Sequence, residues 1–248
     1  MKPLTVLAWD TATDRCAAAL VRAGGPAGGL EILAEYAGGV GFHSQLLPPR
    51  LALMLRENGL GPADLDLLTV GRGPGSFTGL RTGLALAKGL ALGAGRPALG
   101  LGTLEVLATQ MLAAEPDPDL LAAPVIDARH REVFTALYQR VGPGGALTPL
   151  LSPRPLAPEA LAAALAEAGG GRPVKVDGPA RPLVEAVSAG SGPVRIEERG
   201  APLPVSASVL AGLGAAIFRT EPEGGRLPPP LPLYIRLPDL RPAGAAPG

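Results

Sequence analysis

The fold is decided by the segment LDLLTVGRGPGSFTGLR, residues 65–81. Its first six residues are mainly apolar, which is typical of a short buried strand. A turn rich in glycine and proline follows, and Ser76 and Thr78 are residue types favoured at a helix N-cap. Residues from Leu80 to Ala94 favour a helix. Many α/β proteins bind an anion at such a strand–turn–helix junction, but a tight turn that needs glycine for positive φ has the same sequence pattern.

Composition narrows the class of protein. The 248 residues suffice for one large domain or two smaller ones, and 47% of them are hydrophobic. Lys plus Arg and Asp plus Glu number 22 each, which argues against tight, unaided binding of nucleic acid. Cys16 is the only cysteine, so neither an intrachain disulfide nor a cysteine-rich metal site can form. The N-terminus is charged too early for a signal peptide, and no apolar run reaches the roughly 18 residues of a membrane span. We therefore expect a cytoplasmic protein without membrane contact.

The order of predicted elements indicates two similar halves. Three strands, at Leu4–Trp9, Cys16–Arg22 and Leu30–Ala37, form a predicted antiparallel meander. A helix from His43 to about Asn58 follows, although two prolines at positions 48 and 49 leave its start open. After the loop and its helix come a strand at 97–101 and a helix capped by Thr103. The plan restarts beyond the acidic, proline-rich residues 115–119.

The second half repeats the first in outline. Asp127 ends a strand and is followed six positions on by another strand, just as Asp10 is. We therefore predict an α/β fold of two lobes, each a mixed sheet with helices, facing each other across a cleft. The predicted division is residues 1–114 and residues 120–248. Residues 227–248 are proline-rich and predicted to be loop, apart from Leu233 to Leu237.

The loop does not match the common catalytic motifs. It lacks the Gly-Lys-Ser/Thr ending of a phosphate-binding P-loop, and Ser76 lacks the glycine spacing of a hydrolase nucleophile. The two histidines are not spaced as metal ligands. Asp10 and Asp127 could hold a hydrated magnesium ion between the lobes, but capping of turns is favoured for both. The candidate anion- or nucleotide-binding residues are Asp10, Thr11, Arg72, Gly73, Gly75, Ser76, Thr78 and Asp127.

A stripe of small residues marks the helix after the loop. Gly79, Gly83, Ala87 and Ala91 recur every four residues. Each interior glycine costs roughly 0.5–1 kcal/mol relative to alanine, so close packing must hold this helix. The stripe could pack on its own sheet or on another subunit. Because the preceding helix adds more apolar residues than one buried side needs, we predict a helical interface, with ordinary core as the alternative.

Several stretches resemble the TsaB (YeaZ) family, the bacterial partner proteins in making threonylcarbamoyladenosine in tRNA. The strongest is VGRGPGSFTGLR at 70–81 with KGLA at 88–91. The others are DTAT at 10–13, HSQLLP at 43–48, TLE at 103–105, DAR at 127–129 with EV at 132–133, and PLYIR at 232–236. The resemblance is dense over residues 4–140 and sparse beyond.

The resemblance implies a fold of the actin/hexokinase/heat-shock-ATPase type, which is ribonuclease H-like, and a division of labour. The related catalytic subunit TsaD holds its metal with a His-x-x-x-His pair, and the aligned positions here are Thr103 and Leu107. We therefore expect no catalytic residue and no metal in this chain. TsaD would bind the helices of the first lobe, the ATPase TsaE would join, and TsaC would separately make the threonylcarbamoyl-adenylate. No cofactor is expected on the isolated chain, ATP only within the complex, and tRNA through the complex.

The predicted partner-binding residues are His43, Leu46, Leu47, Arg50, Leu51, Met54, Gly79, Arg81, Gly83, Ala87 and Leu90. The same face would form a homodimer when the chain is alone. A bulky residue at position 83 is predicted to abolish heterodimerisation and to leave the monomer folded. The alternative function is an ATP-binding phosphotransferase or ATPase of the same fold, with the nucleotide in the cleft. A metalloprotease is disfavoured by the missing histidine pair.

Overall fold

The computed structural model describes residues 2–24, 29–40, 43–142, 145–185, 192–197, 200–221 and 227–236. The first sheet contains β1 (Leu4–Asp10), β2 (Arg15–Ala23), β3 (Leu30–Val40), β4 (Leu67–Gly71) and β5 (Ala98–Leu101), in the order β3-β2-β1-β4-β5. The first three strands pair antiparallel, and β4 and β5 continue the sheet in parallel. The predicted meander is confirmed.

Three helices belong to the same part of the chain: α1 (His43–Glu57), α2 (Phe77–Ala94) and α3 (Thr103–Leu112). α1 begins at His43 and tolerates both prolines, and Gly59 follows it with a φ of +66°. Ser76 is the N-cap of α2, because its side chain accepts the N–H of Gly79. Thr103 was predicted as the cap of α3, but Gly102 holds that position and Thr103 is the first helical residue.

The second sheet repeats the plan of the first. It contains β6 (Leu121–Arg129), β7 (Glu132–Val141), β8 (Ala146–Leu156), β9 (Val174–Asp177) and β10 (Val194–Ile196), in the order β10-β9-β6-β7-β8. α4 (Pro158–Gly169) and the short α5 (Arg181–Glu185) accompany this sheet, and α6 (Ala207–Thr220) follows it. In both sheets a three-strand antiparallel meander is extended by two parallel strands, which confirms the predicted two-lobed α/β fold.

One hydrophobic core joins the two sheets. It combines buried residues of β1 and β5 with residues of β6 and β7, and α3 and α6 contribute Leu107 and Leu210. α6 falls in the predicted second range but packs on β1, β2 and β4 of the first sheet. Gly214 permits this approach, because a Cβ atom there would lie 2.3 Å from the Thr69 hydroxyl. The division at residues 114–120 stays a prediction.

The C-terminal segment, residues 227–236, contains neither strand nor helix. This corrects the expectation of an element at residues 233–237, of which residue 237 lies outside the described residues. The segment is nevertheless fixed by backbone hydrogen bonds. The Gly100 N–H donates to the Pro228 carbonyl at 2.9 Å, and the Leu233 N–H donates to the Arg72 carbonyl at 2.8 Å. The segment therefore runs along the first lobe beside the loop.

Candidate functional site

The glycine-rich loop, residues 71–76, joins β4 to α2 and packs against the turn after β1. A Cβ atom on Gly71 would lie 1.8 Å from Asp10 Oδ2, and one on Gly75 would lie 2.1 Å from the Ala12 carbonyl oxygen. The Ser76 N–H donates to that same carbonyl at 2.6 Å. Glycine is needed at both positions because the Asp10 side chain and the Ala12 backbone occupy the space that a Cβ atom would take.

The loop uses several of its polar groups internally. The Gly79 N–H is taken by the Ser76 hydroxyl, and the Thr11 hydroxyl donates to the Gly79 carbonyl at 2.8 Å. With the Ser76 N–H also paired, two of the donors that an anion would use at a helix N-terminus are already satisfied. The sequence left two hypotheses open, an anion-binding junction and a tight turn that needs glycine. These contacts are those of a tight turn.

Asp10 and Thr11 serve the fold rather than the cleft. Asp10 is buried; its Oδ1 accepts the Ala12 N–H at 2.7 Å and its Oδ2 accepts the Thr103 hydroxyl at 2.7 Å. Thr11 is fully buried beneath α2. Asp10 therefore caps the turn after β1, as the sequence favoured, and contact of these two residues with an anion stays a prediction.

A cleft of about 480 Å³ lies between the lobes. From the candidate anion-binding set it is lined by Gly75, Ser76, Thr78 and Asp127, and Arg129 and His130 also line it. Asp127 accepts the Arg129 N–H at 2.7 Å and pairs with its guanidinium at 3.3 Å, so it too caps a turn. Among the described residues no three His, Cys, Asp or Glu side chains are grouped to hold a metal ion.

Arg72 and Gly73 lie on the other side of the loop. They line a second cavity, defined by Arg72, Glu105 and Tyr138, whose volume is about 280 Å³. The Gly73 carbonyl accepts the Thr103 N–H at 2.9 Å and is therefore occupied. The predicted anion set is thus divided between a buried turn, the cleft and the second cavity.

The C-terminal segment contributes residues that sequence reasoning did not assign to the site. The centre of the Tyr234 ring lies 5.1 Å from the centre of the Phe77 ring, at the start of α2. Arg236 forms an ion pair with Glu132 and also donates to the Ala128 carbonyl. The segment therefore ties α2 of the first lobe to the β6–β7 turn of the second along one wall of the cleft. The PLYIR stretch was the only sequence signal for this contact.

The predicted partner-binding residues of α1 and α2 fall into two groups. The buried group packs into the core beneath the helices and consists of Leu47, Leu51, Met54, Gly79, Gly83 and Ala87. The accessible group consists of Leu46, Arg50 and Arg81, which are exposed, and Leu90, which is half-buried. The side chain of His43 lies outside the part of the chain that the structure describes.

The small-residue stripe therefore faces inward. A Cβ atom on Gly79 would lie 2.0 Å from the Thr11 carbonyl oxygen, and one on Gly83 would lie 2.3 Å from the Thr11 hydroxyl. The Gly83 carbonyl also accepts the Trp9 indole N–H at 3.1 Å. This corrects the prediction that the stripe is a docking face: it is the close contact between α2 and its own sheet.

The accessible surface of the helix pair is apolar in part. Leu92 is 87% exposed on α2 and Leu46 is 45% exposed on α1. An apolar groove of about 110 Å³ lies between the helices, with Pro48 and Ala52 on one side and Leu86 on the other. Surfaces of this kind are typical of sites that bind another protein.

Comparison with known proteins identifies the family. The model of the family described as TsaD: tRNA N6-adenosine threonylcarbamoyltransferase matches residues 32–147. The tRNA threonylcarbamoyladenosine biosynthesis protein TsaB of Escherichia coli (strain K12) is 39% identical over 137 residues, 55% of this chain and 56% of that protein. An uncharacterized protein of Mycobacterium tuberculosis is 35% identical over 243 residues, 96% of this chain and 94% of its own length. YeaZ from Pseudomonas aeruginosa has a TM-score of 0.69 at 27% identity, covering 93% of this chain and all of that one.

This chain belongs to the TsaB (YeaZ) family. It matches little more than half the length of the E. coli TsaB, so the similarity to that curated relative lies in only part of each chain. The TsaD-like region, residues 32–147, includes α1, α2 and the glycine-rich loop. In the described residues no helix is long and apolar enough to cross a membrane.

Two positions of this TsaB-family chain bear on the TsaD chemistry. Thr103 and Leu107 are the two positions that were predicted, from the resemblance, to correspond to the histidine pair of TsaD. The Thr103 hydroxyl donates to Asp10, and Leu107 is fully buried in the shared core. Both side chains therefore hold α3 in place.

Proposed function

We propose that this chain is a non-catalytic partner subunit in the formation of threonylcarbamoyladenosine in tRNA, and that it binds a TsaD-type catalytic subunit. The observation that carries the proposal is the accessible surface of α1 and α2, where Leu46 and Leu92 are exposed and an apolar groove lies between the two helices. The name of the E. coli relative supports the pathway, and the TsaD-like match includes both helices.

The docking face is defined as four accessible side chains of the two helices: Leu46, Arg50, Arg81 and Leu92. Leu90 lines the groove instead, because it lies nine residues after Arg81 and therefore on the opposite side of α2. Its two arginines are held over aromatic rings: the guanidinium carbon of Arg50 lies 4.6 Å from the centre of the Tyr36 ring, and that of Arg81 lies 4.1 Å from the centre of the Phe77 ring. Stacking of this kind restrains a side chain before a partner binds. The face therefore suits a partner with an apolar centre and carboxylates around it.

The absence of catalysis is part of the proposal. Thr103 and Leu107 are committed to a hydrogen bond and to the core, so they would not act as metal ligands. Zero formal charge supports binding of tRNA through the complex rather than by this chain alone. TsaE would join the assembly in the cytoplasm, and ATP would bind only within it. Without TsaD, the docking face would pair with a second copy of the chain.

The interlobe cleft is the basis of a second candidate function, that of an ATP-binding phosphotransferase or ATPase. Its volume and its lining by Gly75, Ser76, Thr78 and Asp127 would admit a nucleotide. The internal pairing of Ser76 and Gly79 counts against this alternative. Calorimetry of the isolated chain with Mg-ATP distinguishes the two: micromolar binding would favour the enzyme.

The docking face is tested with the full chain and TsaD of the same organism. Leu46→Asp and Leu92→Asp each place a carboxylate in the apolar part of the face and are expected to weaken the complex at least about tenfold. Val141→Asp is the matched control, because Val141 is 46% exposed at the far end of β7. Circular dichroism verifies folding and calorimetry gives affinity. Unchanged affinity in both α-helical variants would refute the docking face.

A further inference from the structure

The second cavity gathers polar side chains from both lobes. Arg72 follows β4, Glu105 lies in the first turn of α3, and Tyr138 lies on β7 of the other lobe. Ile217 of α6 and Leu233 of the C-terminal segment supply apolar walls. A volume of about 280 Å³ is near the lower end of the range for small-molecule pockets, roughly 300–1,000 Å³.

The charges in this cavity are not neutralised by each other. Arg72 and Glu105 are close enough for the guanidinium to lower the carboxyl pKa, yet among the described residues they form no ion pair. Burial acts more strongly and raises the pKa of Glu105, because a carboxylate loses hydration there. Burial also raises the pKa of Tyr138, and the nearby Glu105 adds to that effect. Within the described residues none of these three side chains has a hydrogen-bond partner.

The two opposite charges on the wall of this cavity indicate which kind of ligand would suit it. A guanidinium binds a carboxylate through two parallel hydrogen bonds, and a half-buried carboxylate gains most from an adjacent cation. A ligand that carries a carboxylate and an ammonium group on the same carbon atom would satisfy both residues at once. The Tyr138 hydroxyl offers a third contact, suited to a hydroxyl group on the same ligand.

We propose that the second cavity binds a small α-amino acid with a hydroxyl-bearing side chain, with its carboxylate on Arg72 and its ammonium group on Glu105. The site is separate from the docking face and from the interlobe cleft, so it does not depend on the proposed function. The C-terminal segment forms part of its wall through Pro228 and Leu233. Binding of the amino acid would therefore also stabilise the contacts of the C-terminal segment with the two lobes.

The probe is L-serine, titrated into the isotope-labelled full chain to about 20 mM and followed by the amide shifts of Gly100 and Gly102, which line the cavity. A saturable shift with a dissociation constant of about 1 mM or lower is expected. N-acetyl-L-serine lacks the ammonium group and L-serinamide lacks the carboxylate, so each should bind at least about tenfold more weakly. No saturable shift, or equal binding of the derivatives, overturns the proposal.

Two variants locate the site independently. Glu105→Gln keeps the shape of the side chain and removes its charge. Arg72→Gln replaces the guanidinium with a shorter, neutral amide, and each variant should weaken L-serine binding about tenfold or more. Arg195→Gln is the matched control, since Arg195 is exposed on β10. Thermal melting verifies that each variant is folded. Binding that survives both cavity variants overturns the assignment, and the derivative series tests it even if one variant fails to fold.

Discussion

Gly83 packs directly against the Thr11 side chain, with no room for a side chain of its own. A Cβ atom at position 83 would lie 2.3 Å from the Thr11 hydroxyl, which is buried and donates a hydrogen bond to the Gly79 carbonyl. The sequence indicated that a bulky residue here would spare the monomer and break only the complex. The structure reverses that expectation, because the clash is inside the subunit.

Gly83→Ala should therefore lower the free energy of unfolding by about 1–3 kcal/mol, the usual cost of overpacking a core. Gly89 is the matched control in the same helix, since a Cβ atom there meets nothing within 4 Å. Gly89→Ala should raise the free energy of unfolding by about 0.5–1 kcal/mol. Denaturant titration measures both, and effects of the same sign would contradict the packing described here.

The buried thiol of Cys16 should lower the free energy of unfolding at alkaline pH. Burial, aided by the negative charge of Asp10, raises the pKa of its thiol from 9.0 to about 12. The unfolded chain therefore loses this proton at lower pH than the folded chain, and stability falls as pH rises above 9.0. Between about pH 8 and 10, the wild type should lose roughly 1.4 kcal/mol more than Cys16→Ala. Parallel pH profiles of the two proteins would show that Cys16 does not titrate in this way.

The sequence predicted the roles of residues whose contacts lie within a few positions along the chain. It did not predict the roles of residues that contact a distant part of the chain. Ser76 is recognisable as an N-cap because the cap is formed within four residues. Periodicity revealed the stripe containing Gly83 but not the direction in which it points. Nothing within α2 specifies that Thr11, far earlier in the chain, lies against it.

At the scale of elements, the C-terminal segment binds by side chains as much as by backbone. The contact between Tyr234 and Phe77 and the ion pair of Arg236 with Glu132 hold it to different lobes. Such a segment forms no periodic pattern, so the sequence indicated a proline-rich loop and a family-like PLYIR stretch but not these contacts, and the element expected at residues 233–237 was wrong. The strands and long helices, by contrast, were predictable because their apolar periodicity is local.

Removing the aromatic contact should loosen this segment. An aromatic pair contributes about 0.5–1.5 kcal/mol, so Tyr234→Ala should speed hydrogen exchange at the Leu233 and Gly100 amides roughly two- to tenfold. Leu231→Ala is the control, because Leu231 is 50% exposed and lies in the same segment. Exchange that is equally fast in both variants would show that the ring contact does not hold the segment.

At the scale of the whole molecule, the repeated sheets and their shared core leave two interlobe spaces and one helical face. The cleft and the second cavity lie on opposite sides of the glycine-rich loop, through which β4 leads into α2. The loop is thus a structural junction: its contacts with the turn after β1 fix where α2 lies, and α2 carries half of the docking face. Duplication of the plan was visible in the sequence, whereas the packing of α6 on the first sheet was not.

The most direct test of the partner role is reconstitution of tRNA modification from purified TsaC, TsaD and TsaE of the same organism. Threonylcarbamoyladenosine is measured by mass spectrometry of digested tRNA, with this chain omitted, added, or added as the Leu46→Asp/Leu92→Asp double variant. At subunit concentrations near the wild-type dissociation constant, we predict modification with the wild-type chain and with Val141→Asp. Loss of at least about 90% is expected without the chain or with the double variant, whose two substitutions together should weaken the complex about a hundredfold. Full modification in its absence would contradict the account.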